Sequence, residues 1–535
     1  MRTSISQDKV SSGVWLVFYL ALIISPVIFL FFETVAQVFI SGRFEWMELS
    51  LPTGRRLQLL ARSMGLASMV AVAGLLLALL AGSFLSGWRS KVGNRLKYMV
   101  LILAVVPPYV HALSWTSIFR LWNELVSSTF LPELPLYGLF ISWWVQFMAL
   151  APFGVGIAIL GFEMVDSSLV DAGRIMKSDF QVFKKIVIPT AAPALIVGST
   201  FMFLISVMDY SIPSLFQVST YSLEIFAEYS ANYEPSRAFI LSIPLLIIML
   251  LAASLFQTAF RSLAMSPKKP HQGKDVPLSF PWWFRLLQLT AIVLLIVQII
   301  VPLLSLTYAT GSLQNLLDPI ISSMNEIRTS LIIAIGAALV SILLIWAPTA
   351  YVNQGGYFSY IWWPLLVIPL TIPAPLIGVG IINLWNQGVL VHMYRTMLMP
   401  ILVGVIRFVP FGAFIIFARY KRIDPVLFDA AKIIQRNSFQ TFIKVKIPMF
   451  GKDIIAAASL VFILTLGELG ATLLVVPPGR STLTIKIYNY MHYGETSSVA
   501  GLSLFIFILS LGVGFMIIKL LMKKVKGVYD NEYNS

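Results

Sequence analysis

The segment Phe180–Pro189, FQVFKKIVIP, recurs as FQTFIKVKIP at Phe439–Pro448. The two copies are identical at six of ten positions and lie 259 residues apart in a chain of 535 residues. A repeat at about half the chain length indicates a duplicated architecture. We therefore predict two related halves, residues 1–265 and 283–535, joined by a polar linker at 266–282.

Apolar runs flank both copies of the repeat. Hydrophobic residues make up 58% of the chain and charged residues 12%, with a mean hydropathy of +0.85, whereas about a quarter of the residues of a soluble domain are charged. Twelve runs approach or exceed the roughly 20 apolar residues that a membrane span needs. We number them spans 1–12: 14–40, 57–85, 98–122, 138–163, 191–216, 237–260, 283–310, 326–352, 361–386, 396–419, 451–476 and 499–522. The predicted fold is all-α and polytopic, with about 12 transmembrane helices in two parallel six-helix repeats.

The basic residues predict the orientation of the chain. Lys and Arg total 38 against 24 Asp and Glu, a net charge of +14. If both termini are cytoplasmic, 27 of the basic residues lie at cytoplasmic segments or helix ends and 9 at outer ones. Such a bias is typical of cytoplasmic loops. We therefore predict that both termini and the linker are cytoplasmic, and we attribute the basic charge to topology rather than to nucleic-acid binding.

Each half has a long cytoplasmic loop that is predicted to form two short helices. In the first loop, Asp166 is the predicted N-cap, a capping box follows at Ser168-x-x-Asp171, and the helix breaks at Ser178. Phe180 and Phe183 then share one helix face, since residues three apart are neighbours. The second loop repeats this pattern with Phe439 and Phe442. These aromatic side chains either pack against their own spans or form a docking surface for a cytosolic partner.

The two loops resemble the EAA loop of permease subunits in binding-protein-dependent ABC importers. That motif combines Glu-Ala-Ala with a hydrophobic ending in proline. The first loop has Asp171-Ala172-Gly173 and ends at Pro189, and the second has Asp429-Ala430-Ala431 and ends at Pro448. Both loops carry Asp in place of Glu, and the first loop is one residue shorter than the family pattern.

The fusion of two halves resembles the ferric-iron branch of that family, as do the segments Asp209–Phe216 and Pro478–Leu483. The resemblance implies a type I ABC importer permease fold in a bacterial plasma (inner) membrane. It also implies two cytosolic ATP-binding subunits at the loops, and an external or periplasmic substrate-binding protein. Ferric iron is the expected substrate, and thiamine, polyamine or phosphonate are the alternatives that the branch offers.

The sequence lacks the residues for ATP hydrolysis. A phosphate-binding loop needs Gly-x4-Gly-Lys-Ser/Thr, and neither Gly273-Lys274-Asp275 nor Gly451-Lys452-Asp453 supplies it. There is no cysteine, which excludes disulfides and thiolate metal sites. We therefore expect no catalytic residue, metal or cofactor in this chain, with ATP and Mg bound by the partner subunits that the resemblance implies.

Two acids fall inside spans at a separation of 259 residues, Asp209 in span 5 and Glu468 in span 11. A carboxylate near the bilayer centre costs about 2.5–3.5 kcal/mol, so each should face a partner or a water-filled path. Arg407 in span 10 is a candidate partner for Glu468. The residue 259 positions before Arg407 is Met148, so Asp209 has no matching arginine. The acids are either structural or flank the translocation path together with Arg407.

Prolines interrupt spans 3 and 9 at comparable depth, at Pro107-Pro108 and at Pro369, Pro373 and Pro375. Broken helices in transporters often line cavities, although a simple kink is the alternative. His111 follows the first pair, but no second ligand stands at metal-binding spacing.

A major-facilitator-like secondary carrier is the rival prediction, because it too has two parallel six-span halves. The loop 82–95 has the glycine and arginine content of that family but lacks its central acid, and the corresponding loop 353–360 carries no charge. The energy source separates the two classes: an ABC permease needs an ATPase partner, whereas a carrier follows an ion gradient.

Overall fold

The computed structural model describes residues 14–529 apart from 16, 88–90, 105, 129, 266–277, 355, 422, 424–425, 428–429, 431–437 and 494–495. In this part of the chain the regular structure is helical, and no strand occurs. The predicted all-α membrane fold is confirmed. The division into halves at 266–282 stays a prediction, and most of the linker lies outside the described residues.

Ten of the described helices are long and apolar enough to cross a membrane, or eleven if a bent pair is counted as one span. The ten helices are Val17–Phe39 (span 1), Gly54–Gly87 (2), Leu139–Glu163 (4), Asp179–Met208 (5), Pro235–Leu263 (6), Trp282–Thr310 (7), Met324–Trp346 (8), Leu398–Tyr420 (10), Phe442–Leu466 (11) and Ser497–Lys519 (12). Spans 3 and 9 are not among these ten continuous helices, because both are interrupted where the sequence places prolines.

Spans 3 and 9 are broken at equivalent prolines. Span 3 consists of Lys91–Leu103 and Pro108–Val126, and span 9 consists of Trp362–Thr371 and Ala374–Trp385, which meet at a 105° bend. Pro107 and Pro373 directly precede the second helix of each pair. Proline has no N–H to donate and disfavours helical geometry in the residue before it, so a helix ends there.

The outer loops of the two halves form the same hydrogen bonds. The N–H of Tyr221 donates to the hydroxyl of Ser63 over 2.8 Å, and the N–H of Leu483 donates to the hydroxyl of Ser330 over the same distance. Each bond anchors a short outer helix, Tyr221–Asn232 in one half and Leu483–Tyr493 in the other, to the second span of its own half. The correspondence between the halves thus extends beyond the cytoplasmic loops.

The first span of each half packs against the other half. The hydroxyl of Tyr19 in span 1 donates to the carbonyl of Leu365 over 3.2 Å, and its ring meets Trp362 edge-on at 5.6 Å. Farther along, span 1 runs so close to span 9 that a Cβ at Gly380 would lie 2.9 Å from the carbonyl oxygen of Pro26. Only glycine accommodates that approach.

Span 7 makes the reciprocal contact with the first half. Gln288 donates to the hydroxyl of Ser83 in span 2 over 3.0 Å, and Gln298 donates to the carbonyl of Met148 in span 4. Hydrogen bonds between polar side chains and neighbouring helices stabilise packing where lipid gives no hydrophobic drive. Both large apolar cores of the described chain contain residues of both halves.

Candidate functional site

A cavity of about 130 Å³ lies between the two halves, at the level of the helix breaks. It is lined from spans 3, 4 and 5 of one half and spans 9, 10 and 11 of the other. Pro107, Pro108 and Ala374 bring both proline breaks to its wall. The polar residues of the lining include Gln146, Ser206, Asp209, Ser211, Arg407 and Glu468. The structure therefore brings all three predicted path residues together around one cavity.

Glu468 has every acceptor position of its carboxylate engaged. Span 11 ends at Leu466, and the carboxylate accepts the N–H groups of Ala471 and Thr472, each over 2.9 Å, at the start of the short helix Thr472–Val475. The hydroxyl of Thr472 and the guanidinium of Arg407 also donate to it. The side chain of Glu468 is fully buried. These contacts give Glu468 a structural role at the break of its span.

Asp209 occupies the equivalent break in span 5 but is less fully bound. One carboxylate oxygen accepts the N–H of Ser211 over 2.9 Å and its hydroxyl over 2.5 Å. The other oxygen accepts only the side-chain amide of Gln146, over 3.3 Å, which is long for a hydrogen bond. Asp209 is half-buried, and none of the ion pairs found among the described residues includes it. One oxygen of Asp209, a residue of the cavity wall, thus has only a weak hydrogen bond.

Gln146 is the counterpart of Arg407. It lies 261 residues before Arg407 and donates to Asp209 as Arg407 donates to Glu468. Its own amide oxygen accepts the hydroxyl of Ser206 over 2.6 Å. The loops repeat at a separation of 259 residues, and the residue 259 positions before Arg407 is Met148. That separation therefore missed Gln146 by two positions. The amide side chain of Gln146 in the middle of the largely apolar span 4 was the signal that could have found it.

The two halves touch directly beside the acids. The hydroxyl of Tyr210 donates to the carbonyl of Gly470 over 2.9 Å, and its ring stacks on Phe226. A Cβ at Gly470 would lie 2.9 Å from the Cβ of Ala374 and 3.3 Å from the Tyr210 ring. Glycine is therefore required where the broken spans of the two halves close the cavity against each other.

The first cytoplasmic loop forms the predicted helix, Ser167–Met176, with Asp166 as its N-cap. Asp171 and Ala172 are exposed, and Asp171 pairs with Arg174 at 3.6 Å. Gly173 faces the next helix, where a Cβ would lie 2.6 Å from the side chain of Ile186. This close packing accounts for glycine at a position where the resembled family has alanine. Pro189 is exposed in the first turn of the helix Ile188–Met208.

Phe183 is buried, so of the two alternatives for the aromatic face this residue follows internal packing and not a docking surface. Its ring lies 5.1 Å from Phe280 and 5.4 Å from Phe284, and Phe180 lies 5.3 Å from Trp283. The segment before and at the start of span 7 covers this face, a long-range contact that the loop sequence cannot reveal. Ser279, in the same segment, donates its N–H and hydroxyl to Asp179 over 2.6 and 2.8 Å.

The apolar side chains that the first loop does expose are those of Ile175 and Met176, at 86% and 84% of their full surface. They lie at the C-terminal end of the helix Ser167–Met176. The candidate docking surface of the first loop is therefore the end of this helix, and not the phenylalanines named from the sequence.

The second loop is described only in part. Asp429 and Ala431 lie outside the described residues, as does the side chain of Phe439, while Ala430 and Pro448 are exposed. Phe442 is half-buried, with its ring 5.1 Å from Trp346 of span 8. A π-helical turn begins at Phe442, as one does at the equivalent Phe183. Phe442 thus packs against its own half.

The chain is similar to the Fe(3+)-transport system permease protein FbpB 2 of Haemophilus influenzae over nearly its whole length. The two are 22% identical over 529 residues, which is 94% of this chain and 98% of that protein. The homologues of this chain are permeases of ABC transport systems. The resemblance inferred from the two loops is confirmed by this similarity to ABC transport permeases, and the chain is a multi-pass membrane protein.

Two further relatives match part of this chain. The probable transport system permease protein NifC of Clostridium pasteurianum is 28% identical over 231 residues, 38% of this chain and 76% of that protein. The putative 2-aminoethylphosphonate transport system permease protein PhnV of Salmonella typhimurium is 25% identical over 185 residues, 34% of this chain and 69% of that protein. No protein-family model matches the chain.

Proposed function

We propose that this chain is the pore-forming permease subunit of an ATP-driven importer and that one copy supplies both halves of the pathway. The observation that carries the proposal is the single cavity where the broken spans of the two halves meet, in a chain whose full-length relative is a transport permease. Substrate arrives from an external or periplasmic binding protein. Two separate cytosolic subunits bind ATP and Mg and hydrolyse the nucleotide, and this chain holds no cofactor of its own.

The ATP-binding subunits dock on the two cytoplasmic loops, with both termini on the same side of the inner membrane. In the first loop, Ile175 and Met176 supply the apolar contact, while Phe183 is buried against Phe162, Phe280 and Phe284. The second loop contributes its exposed residues, including Ala430 and Pro448. Movement of the loops then opens the cavity alternately to the two sides of the membrane.

Ferric iron is the proposed substrate. The supporting observation is that the relative aligned over 98% of its own length is named as an Fe(3+) permease. A second candidate is 2-aminoethylphosphonate, because PhnV is named for it, although that match covers a third of this chain. Thiamine and polyamines remain alternatives that only the family resemblance suggests.

The test is uptake of labelled ferric iron by cells that carry the chain with its binding-protein and ATPase partners. We expect uptake to stop when the ATPase subunit is deleted and to continue when the proton gradient is collapsed while ATP is maintained. The reverse pattern would identify a secondary carrier. Uptake of 2-aminoethylphosphonate instead of iron, in the same cells, would replace the substrate and leave the permease function in place.

A further inference from the structure

We propose that Asp209, and not Glu468, binds a positively charged group of the substrate in the cavity between the halves. This inference rests on the proposed permease function and adds to it a residue and a ligand class. It begins from the unequal bonding of two acids that occupy equivalent breaks.

The acceptor positions of the two carboxylates differ. Glu468 receives four donors, from Ala471, the N–H and hydroxyl of Thr472, and Arg407. A carboxylate so bound has no good position left for a ligand. Asp209 receives both donors of Ser211 on one oxygen and a single long bond on the other. The second oxygen of Asp209 is therefore the one acid oxygen of this pair that a ligand can reach without breaking a short bond.

The two acids also differ in the charge of their neighbouring partner. Arg407 neutralises Glu468, whereas the equivalent Gln146 is a neutral partner for Asp209. The polar lining therefore carries two carboxyl groups and one guanidinium. Phenylalanines 153, 201, 408 and 411 contribute apolar wall, which weakens screening by water. An acid whose hydrogen-bond partners are all neutral favours a cation as its ligand in such surroundings.

The ligand class is a hard metal cation or an ammonium group. Carboxylate and hydroxyl oxygens suit hard cations, and the hydroxyls of Ser206 and Ser211 lie on the same wall. An ammonium group would donate to the same oxygens. Ferric iron and the amine of 2-aminoethylphosphonate share this positive charge. A wholly anionic substrate would meet the unpaired carboxyl group of Asp209 unfavourably.

The experiment measures uptake by Asp209→Asn and by Gln146→Arg. The first change removes the charge and keeps the shape, and the second supplies the arginine that the other half already has. We expect each to lower uptake of labelled ferric iron about tenfold or more, since a hydrogen bond to a charged group contributes enough for that factor. Asp318→Asn, the same change on an exposed acid of the helix Leu313–Ser322, should transport like the unmodified chain.

Parallel uptake of 2-aminoethylphosphonate, with ethylphosphonate as competitor, distinguishes the two sources of charge. Loss of iron uptake identifies a metal cation as the ligand. Loss of 2-aminoethylphosphonate uptake, with no competition by ethylphosphonate, identifies the ammonium group. Co-purification of each variant with the ATPase subunit shows that the complex still assembles. Uptake at the unmodified rate in both assembled variants would overturn the role of Asp209, whereas a lack of ATP-dependent uptake by the unmodified chain would overturn the proposed function instead.

Discussion

The two intramembrane acids illustrate how one position can serve two purposes after duplication. Each ends a broken span and accepts backbone N–H groups of the residues that follow, so each satisfies donors that the break leaves unpaired. Arg407 locks one acid in place, and Gln146 leaves the other partly open. A single residue, arginine or glutamine, thus separates a structural site from a candidate ligand site.

Replacement of Arg407 by glutamine should destabilise the protein. Glu468 would then be a fully buried carboxylate without a cation, and breaking a buried ion pair in this way costs about 3–5 kcal/mol. Thermal unfolding of the purified protein in detergent measures the loss. The exposed Arg480→Gln should change stability by no more than about 0.5 kcal/mol. Equal melting temperatures for the two variants would contradict the structural role of the pair.

At the scale of elements, the segment Ser279–Phe284 determines which part of the first cytoplasmic loop is exposed. It binds Asp179 through Ser279 and covers Phe183 with two aromatic rings. The helix Ser167–Met176 is left with its C-terminal end open. The exposed side chains that are candidates for docking, Ile175 and Met176, are therefore different from the buried Phe183 that packs the loop against the rest of the chain.

The paired change Ile175→Asp and Met176→Asp should weaken the complex with the ATPase subunit. Two apolar side chains that are more than four-fifths exposed would become charged without disturbing the packed face. The measurement is the amount of ATPase subunit that co-purifies with the permease. Val389→Asp, at an equally exposed residue on the predicted outer side, is the matched control. Unchanged co-purification of the paired variant would remove these residues from the interface.

Phe183→Ala should act through stability. Removing a buried phenylalanine leaves a cavity among Phe162, Phe280 and Phe284 and costs about 3–5 kcal/mol. A lowered melting temperature of the permease alone, without its partners, is the expected result. Full stability combined with loss of ATPase binding would instead restore Phe183 as a docking residue.

The sequence alone predicted the features that local patterns encode. The Asp166 cap, the proline breaks of spans 3 and 9 and the equivalence of Asp209 with Glu468 all follow from short motifs or from the repeat. The cover over Phe183 and the pairing of Gln146 with Asp209 were missed. Both depend on contacts between distant segments. The loops repeat at a separation of 259 residues, whereas Gln146 and Arg407 are 261 residues apart, so a search at the loop separation misses Gln146.

At the scale of the whole molecule, the exchange of spans 1 and 7 joins the halves into one body. Each exchanged span contributes polar contacts and apolar packing to the opposite half. The halves therefore cannot be pulled apart without removing a helix from each core. This arrangement makes the packing of each half depend on a span from the other.

Ser83→Cys combined with Gln288→Cys should cross-link span 2 to span 7 with a short thiol-reactive reagent. The native side chains are 3.0 Å apart, and the chain has no cysteine of its own to give a background. After cleavage at a protease site inserted in the 266–282 linker, the two fragments should migrate as one species under denaturing conditions. Ser83→Cys with Gln298→Cys, about three turns away, should leave them separate.

Native mass measurement should find one copy of this chain for each pair of ATPase subunits. The cavity already contains contributions from both halves, so a second copy would duplicate the pathway rather than complete it. Two copies per ATPase pair would contradict the proposed fusion of both halves into one functional unit.

The exchanged spans also impose a waiting time during synthesis. Tyr19 is bonded to Leu365, 346 residues later, and ribosomes add about 5–20 residues per second. Span 1 therefore spends roughly 20–70 s in the membrane before its partner helix is made. During that interval its future interface, with the carboxyl group of Glu33 that Asn383 later binds, must be shielded by lipid, by the insertion machinery or by a chaperone. A ribosome stalled after the first half would leave a chain that cannot finish folding.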